Sequence, residues 1–156
     1  MRQRKGLINA EIVDTTVEPF PSVVALRSLG VWRGSLHVHP HASAEMFALA
    51  DEVQRILLAA TGAPIARDES ASTPGILLGT FAEWSTANYG FAGSAPPYVL
   101  AQGHEYIAVT DGGRLLLLGR TARATAFAFY RWAGLLGYHQ LFPGKAWEVV
   151  PKLGEL

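Results

Sequence analysis

The sequence predicts a single α/β domain of the α+β type: a mixed, largely antiparallel sheet with two helices packed on one face. Three observations predict it. Residues 43–62 combine helical spacing of apolar side chains with a start and a stop signal. Residues 121–136 favour helix, and two apolar runs flank Asp111-Gly112-Gly113 in the pattern of a hairpin. A chain of 156 residues, 49% hydrophobic and 17% charged, is of a size to build one core.

Residues 1–21 hold one short apolar patch, Ile12-Val13, then a Thr/Glu/Pro stretch closing on Phe20-Pro21. They are expected to be an irregular lead-in to a domain over 22–156. In Ser35-Leu36-His37-Val38-His39-Pro40 the alternation sets Leu36 and Val38 on one face of a first core strand and the histidines on the other, and proline ends it. Ser43 is suited to an N-cap. Behind it Met46, Leu49, Ala50, Val53, Ile56, Leu57 and Ala60 recur opposite Asp51, Glu52, Gln54 and Arg55, so a helix runs to Gly62, which can close it, and Pro64, which cannot continue it. A short strand is expected near residues 64–67.

Residues 75–81 form a continuous apolar run between turn signals, the pattern of a central strand covered on both faces. Residues 82–103, rich in Ala, Gly, Ser, Pro and aromatics without periodicity, read as an irregular excursion. The hairpin follows, with strands at 106–110 and 114–118. Between Thr125 and Gly137 the second helix has one strongly polar side chain, Arg131, so it has almost no face suited to water. A last strand is expected at 147–150.

Thirteen Lys and Arg balance thirteen Asp and Glu, so no bulk attraction toward nucleic acid or an anionic membrane is built in, and neither is expected as a partner. Without cysteine there is no disulfide framework and no thiolate metal site. Met1-Arg2-Gln3-Arg4-Lys5 starts like the basic end of a signal peptide but no apolar segment follows, so no export signal is expected in this chain. No apolar run approaches the roughly 20 residues of a membrane-spanning helix.

Two stretches of the sequence resemble the small N-terminal domain that precedes the catalytic barrel in family 67 α-glucuronidases and family 20 β-hexosaminidases. The first is the opening strand and helix ending in Ala60-Thr61-Gly62-Ala63-Pro64-Ile65. The second, more specific, runs from Glu105 to Pro151: a strand, a turn, an apolar strand ending in Leu118-Gly119, and an aromatic-rich helix. Leu136-Gly137-Tyr138, Phe142-Pro143-Gly144 and Glu148-Val149-Val150-Pro151 complete it. The resemblance implies a non-catalytic accessory domain that supports a catalytic barrel not present in this chain, within a glycoside hydrolase of carbohydrate metabolism. Such relatives are often secreted or periplasmic and keep their catalytic carboxylates on the barrel, so no catalytic residue is carried over.

Other chemistries are weighed on the residues themselves. His37, His39 and His41 could approach one metal ion from a strand, as a small metal-dependent enzyme would require, but no cysteine or His-Glu-x-x-His pattern joins them and the nearest carboxylate is Glu45. Solvent-facing or core-edge histidines are the plainer reading, and no cofactor is expected. Gly93-Ser94-Ala95-Pro96 is no nucleophile elbow. Asp51, Glu52, Asp68 and Glu69 fit a solvated surface rather than a glycosidase pair. Trp84, Tyr89 and Phe91, with Phe81 and Tyr98, sit among small polar residues in a mixture suited to sugar rings, the basis for a stand-alone saccharide-binding protein; the same aromatics could instead pin the excursion to the sheet. Phe127, Tyr130 and Trp132 lie on the apolar helix and mark an interface with a barrel or another subunit, unless the excursion covers them.

Overall fold

In the computed structural model, residues 26–28, 30–70, 74–84, 105–111, 113–154 and 156 are described. The expected lead-in lies outside them, as do Tyr89, Phe91 and Tyr98. The chain enters through two short antiparallel strands, β1 (Arg27–Ser28) and β2 (Val31–Trp32). It then builds a five-stranded sheet from β3 (Ser35–Val38), β4 (Arg67–Asp68), β5 (Gly75–Thr80), β6 (Tyr106–Asp111) and β7 (Arg114–Gly119), in the order β4-β3-β5-β7-β6. Helix α1 (Ala44–Thr61) joins β3 to β4, the short α2 (Phe81–Trp84) follows β5, and α3 (Ala122–Leu135) follows β7. A second small sheet pairs β8 (His139–Gln140) with β9 (Glu148–Val149) through a turn of 3-10 helix, Lys145–Trp147.

The mixed α/β class expected from the sequence is the class observed, but the balance of strand directions differs. β3 runs parallel to both β4 and β5, β5 runs parallel to β7, and within the five-stranded sheet only β6 with β7 is antiparallel. The physical reason lies in the connections. Helix α1 is a crossover that returns the chain in its original direction, and the β6–β7 hairpin enters the sheet with its second strand inward. Leu115, Leu116, Leu117 and Leu118 are all buried, a run that needs cover on both faces and therefore an interior position. β6, where Ile107 is buried and Thr110 exposed, takes the edge. The expected last strand joins β8 rather than the main sheet.

Alternation along the strands divides the interior into two cores. Leu36, Val38, Ile76, Leu78, Leu115 and Leu117 meet Met46, Val53 and Ile56 of α1 and Ala128, Phe129 and Ala133 of α3 in one cluster, so side chains of both long helices join the same core. Leu77, Leu116, Leu118 and Ile107 form the second cluster with Trp84. Helix α1 matches its sequence pattern closely: the Ser43 hydroxyl accepts from the N–H of Met46 at 3.2 Å, Gly62 closes the helix at φ +74°, and the expected apolar set is the buried set.

Helix α3 is fixed to the sheet at its first turn. Thr121 caps it, its hydroxyl accepting from the N–H of Ala124 at 3.1 Å. One turn on, the fully buried Thr125 donates its hydroxyl to the Gly79 carbonyl of β5 at 2.7 Å. The approach is possible because Gly119, at the end of β7, has no side chain; a Cβ there would collide with the backbone nitrogen of Thr125. Thr125→Val keeps the shape but removes the donor, and is expected to lower unfolding stability by about 1–3 kcal/mol. Thr125→Ser should retain more of that stability, as urea denaturation of the two variants would measure.

Candidate functional site

Strands β3 and β5 point their carboxyl ends the same way, and chain connections leave them in opposite directions across the sheet, the position where open α/β sheets commonly bind ligands. Here that position carries His39 and His41 after β3 and Thr80, Glu83 and Trp84 after β5. Thr80 and Glu83 form a reciprocal cap. The Glu83 carboxylate accepts from the N–H of Thr80 at 2.7 Å, and the Thr80 hydroxyl accepts from the N–H of Glu83 at 3.2 Å. This cap turns the chain sharply enough to lay Trp84 back under the sheet, where it is fully buried and donates its indole N–H to the Leu78 carbonyl at 3.1 Å. The bare backbone of Gly79 leaves room for that indole.

The three histidines do not share one site: His37 lies apart, while the rings of His39 and His41 stand 5.7 Å from each other. His37 is fully buried, its Nε2 lying 3.2 Å from the Pro74 carbonyl and its Nδ1 4.0 Å from the Asp68 carboxylate. His39 stands edge-on to the Trp84 ring, centroids 5.6 Å apart, while its Nδ1 accepts the backbone N–H of His41 at 3.1 Å. Among the described residues no three His, Asp or Glu side chains gather closely enough to hold a metal ion. Trp84, singled out from the sequence as a sugar platform, presents no open face in this conformation.

The densest titratable cluster was not visible as a motif. Arg55 of α1 donates to Glu52 at 2.6 and 2.8 Å and, across the molecule, to Glu148 of β9 at 2.6 Å. The Tyr138 hydroxyl donates to the same Glu148 oxygen at 3.1 Å, and the Tyr138 ring stacks on Tyr130 at 5.8 Å. The Arg55 hydrogen bond holds the Glu52 carboxyl below the usual range, while the two carboxylates hold the guanidinium above its own. Burial, and next the bond to Glu148, pushes the Tyr138 phenol up; burial also raises Tyr130. Two carboxylates bridged by one guanidinium are held in place by it, so the cluster clamps β9 to α1. Asp51 is similarly engaged by Arg67 at 2.6 Å, and Asp68 by the N–H and hydroxyl of Ser70, both at 3.0 Å. Ser70 holds Asp68 below the usual carboxylate range.

An apolar cleft lined by Ile56, Phe129, Trp132 and Leu153 encloses about 10 Å³. That volume is room for about one water molecule and too little for a sugar ring. Of the three expected interface residues, Tyr130 and Trp132 are half-buried against the first core, whereas Phe127 stands 52% exposed beside Tyr106. The second helix does have an outward stripe: Arg123, Phe127, Arg131 and Leu135, one turn apart, are all exposed. Beyond it the β8–β9 hairpin exposes Leu141, Phe142, Trp147 and Val149.

Compared with models of known protein families and with curated proteins, the chain matches none. No helix among the described residues is long and apolar enough to cross a membrane.

Two outcomes check this division of labour. Trp84→Ala, which empties a fully buried site and removes the hydrogen bond to the Leu78 carbonyl, is expected to cost about 3–5 kcal/mol in thermal or urea unfolding. For the clamp, Glu52 is held low in the folded state, so its contribution is fully present above the ordinary carboxylate value of about 4.5 and is lost as pH falls through the lower folded value. The unfolding temperature should therefore fall below that pH, with a shallower fall in Glu52→Gln; an identical slope in both proteins would contradict the assignment.

Proposed function

We propose that this chain is a non-catalytic accessory α/β domain that supports a catalytic glycoside-hydrolase barrel, as in the family 67 and family 20 enzymes whose N-terminal domain it resembles. The observation that carries this reading is where the exposed apolar side chains fall. Among the described residues, six of the eight exposed large apolar side chains, Phe127, Leu135, Leu141, Phe142, Trp147 and Val149, lie within Glu105 to Pro151, the stretch that carries the resemblance, and Val31 and Leu58 lie outside it. Large apolar groups clustered on one part of a surface mark a contact with another protein surface.

The conformation of that stretch is consistent with the reading. Gly119 admits Thr125, Gly137 turns the chain at φ +99° after α3, and Glu148 ties the segment to α1. Asp51 and Glu52 of α1, Asp68 of β4 and Glu148 of β9 are each held by an arginine or a serine of the fold, which suits a structural role. A compact domain of this kind would contribute orientation and stability rather than turnover.

The isolated 156-residue chain is expected to hydrolyse no nitrophenyl glycoside above the uncatalysed rate. Hydrolysis should appear only with a barrel attached or bound. Turnover by the isolated chain that survives repurification would refute the proposal.

A further inference from the structure

We infer that residues 151–154 with 156 form a rigid strut that fixes the direction in which the chain leaves the domain, and with it the orientation of a domain joined beyond Leu156. That such a domain follows rests on the accessory-domain reading; the strut itself rests on contacts within this chain.

The strut begins at the end of α1. A helix leaves its last carbonyls without partners of its own, and they need donors from elsewhere. The Gly62 N–H and the Thr61 hydroxyl serve Leu58 and Leu57, at 2.8 and 2.7 Å. Ala59 and Ala60 are served by residues far along the chain. The Lys152 ammonium donates to the Ala59 carbonyl and the Leu153 N–H to the Ala60 carbonyl, both at 2.8 Å. The last turn of α1 has no basic residue, so Lys152 supplies the positive charge that a helix C-terminus favours. Beside these bonds Pro151 and Leu153, both half-buried, line the narrow apolar cleft with Ile56, Phe129 and Trp132.

The far end is tied to the entry strand. The Arg27 N–H donates to the Leu156 carbonyl at 2.9 Å and the Leu156 N–H to the Arg27 carbonyl at 3.2 Å, the exchange made by an antiparallel pair. The Leu26 carbonyl accepts from the Arg33 N–H on the β2 side, so Leu156 lies along the opposite edge of β1. Arg27 is 9% exposed, and its guanidinium donates to the Gly154 and Gly30 carbonyls. A charge buried this far depends on its acceptors, so detaching the segment would cost Arg27 one of them. Arg55 holds Glu148 shortly before Pro151, and the exit path is thus fixed at both ends and in the middle. Domains joined by a loose linker move freely against each other, and a docked exit removes that freedom.

The test is the distance between two nitroxide labels in the full chain. The sequence has no cysteine, so Ala48→Cys with Gly154→Cys gives two unique sites. Ala48 is exposed on α1, and a Cβ at Gly154 meets open space. Pulsed electron resonance is expected to give one narrow distance. Arg27→Met should broaden that distance and speed amide exchange at Leu153 and Leu156 by about tenfold or more relative to Val53 in the middle of α1. Thermal melts confirm that each variant folds. A broad distance in the labelled chain, Leu153 and Leu156 amides that exchange as in an unfolded peptide, or an Arg27→Met chain with distance and exchange unchanged would each overturn the inference. An ordered strut in a protein that carries no glycosidase barrel would leave the strut standing and sink the accessory-domain reading, and a loose segment ahead of such a barrel would do the reverse.

Discussion

The first turn of α3 rests directly on the sheet, and most of the fold's geometry depends on that contact. Thr125 reaches the Gly79 carbonyl only because Gly119 leaves the intervening space empty. Once the first turn is fixed, helical periodicity fixes the rest. Ala128, Phe129 and Ala133 must enter the core shared with α1, and Arg123, Phe127, Arg131 and Leu135 must face away from it. The outward stripe is therefore a consequence of one buried hydroxyl and one glycine, not of the polarity of the residues on it.

The same contact explains how an almost wholly apolar helix can be half exposed. Its sequence calls for cover on more than one side, and the sheet supplies only one. The arginines at positions 123 and 131 keep the outer stripe compatible with water, since their guanidinium groups stay solvated while their stems lie along the surface. Phe127 and Leu135 between them have no such means. The interface proposed above rests on this exposure together with the resemblance.

How much of this could be read in the sequence depended on the distance between the groups involved. Helix α1 was legible to its caps, because Ser43, Gly62 and the apolar spacing are all local. The β6–β7 hairpin was legible for the same reason. Strand order was legible only in part: the continuous Leu115 to Leu118 run calls for an interior position, while the parallel pairing of β3 with β4 and β5 and of β5 with β7 leaves no mark in any local pattern. The Thr80-Phe81-Ala82-Glu83 cap was present as a motif but lay at the edge of a stretch without periodicity. β8 is two polar residues, His139-Gln140, and takes its strand conformation from pairing with β9 rather than from its own composition. At the site level, His37 went into the core away from His39 and His41, while Arg55 and Glu148, 93 residues apart, came together.

The clamp and the surface are one mechanical unit. Glu148 lies next to Trp147 in the chain, and its carboxylate receives both Arg55 and the Tyr138 hydroxyl. Tyr138 sits between the end of α3 and β8, so a single buried carboxylate holds both strands of the hairpin against α1. Breaking a partly buried ion pair leaves a charge without compensation, which is why such a group is well suited to hold an orientation even where its net stabilisation is small. Phe142 and Trp147 are therefore displayed from a base fixed to the core. Their exposure is a property of the folded domain.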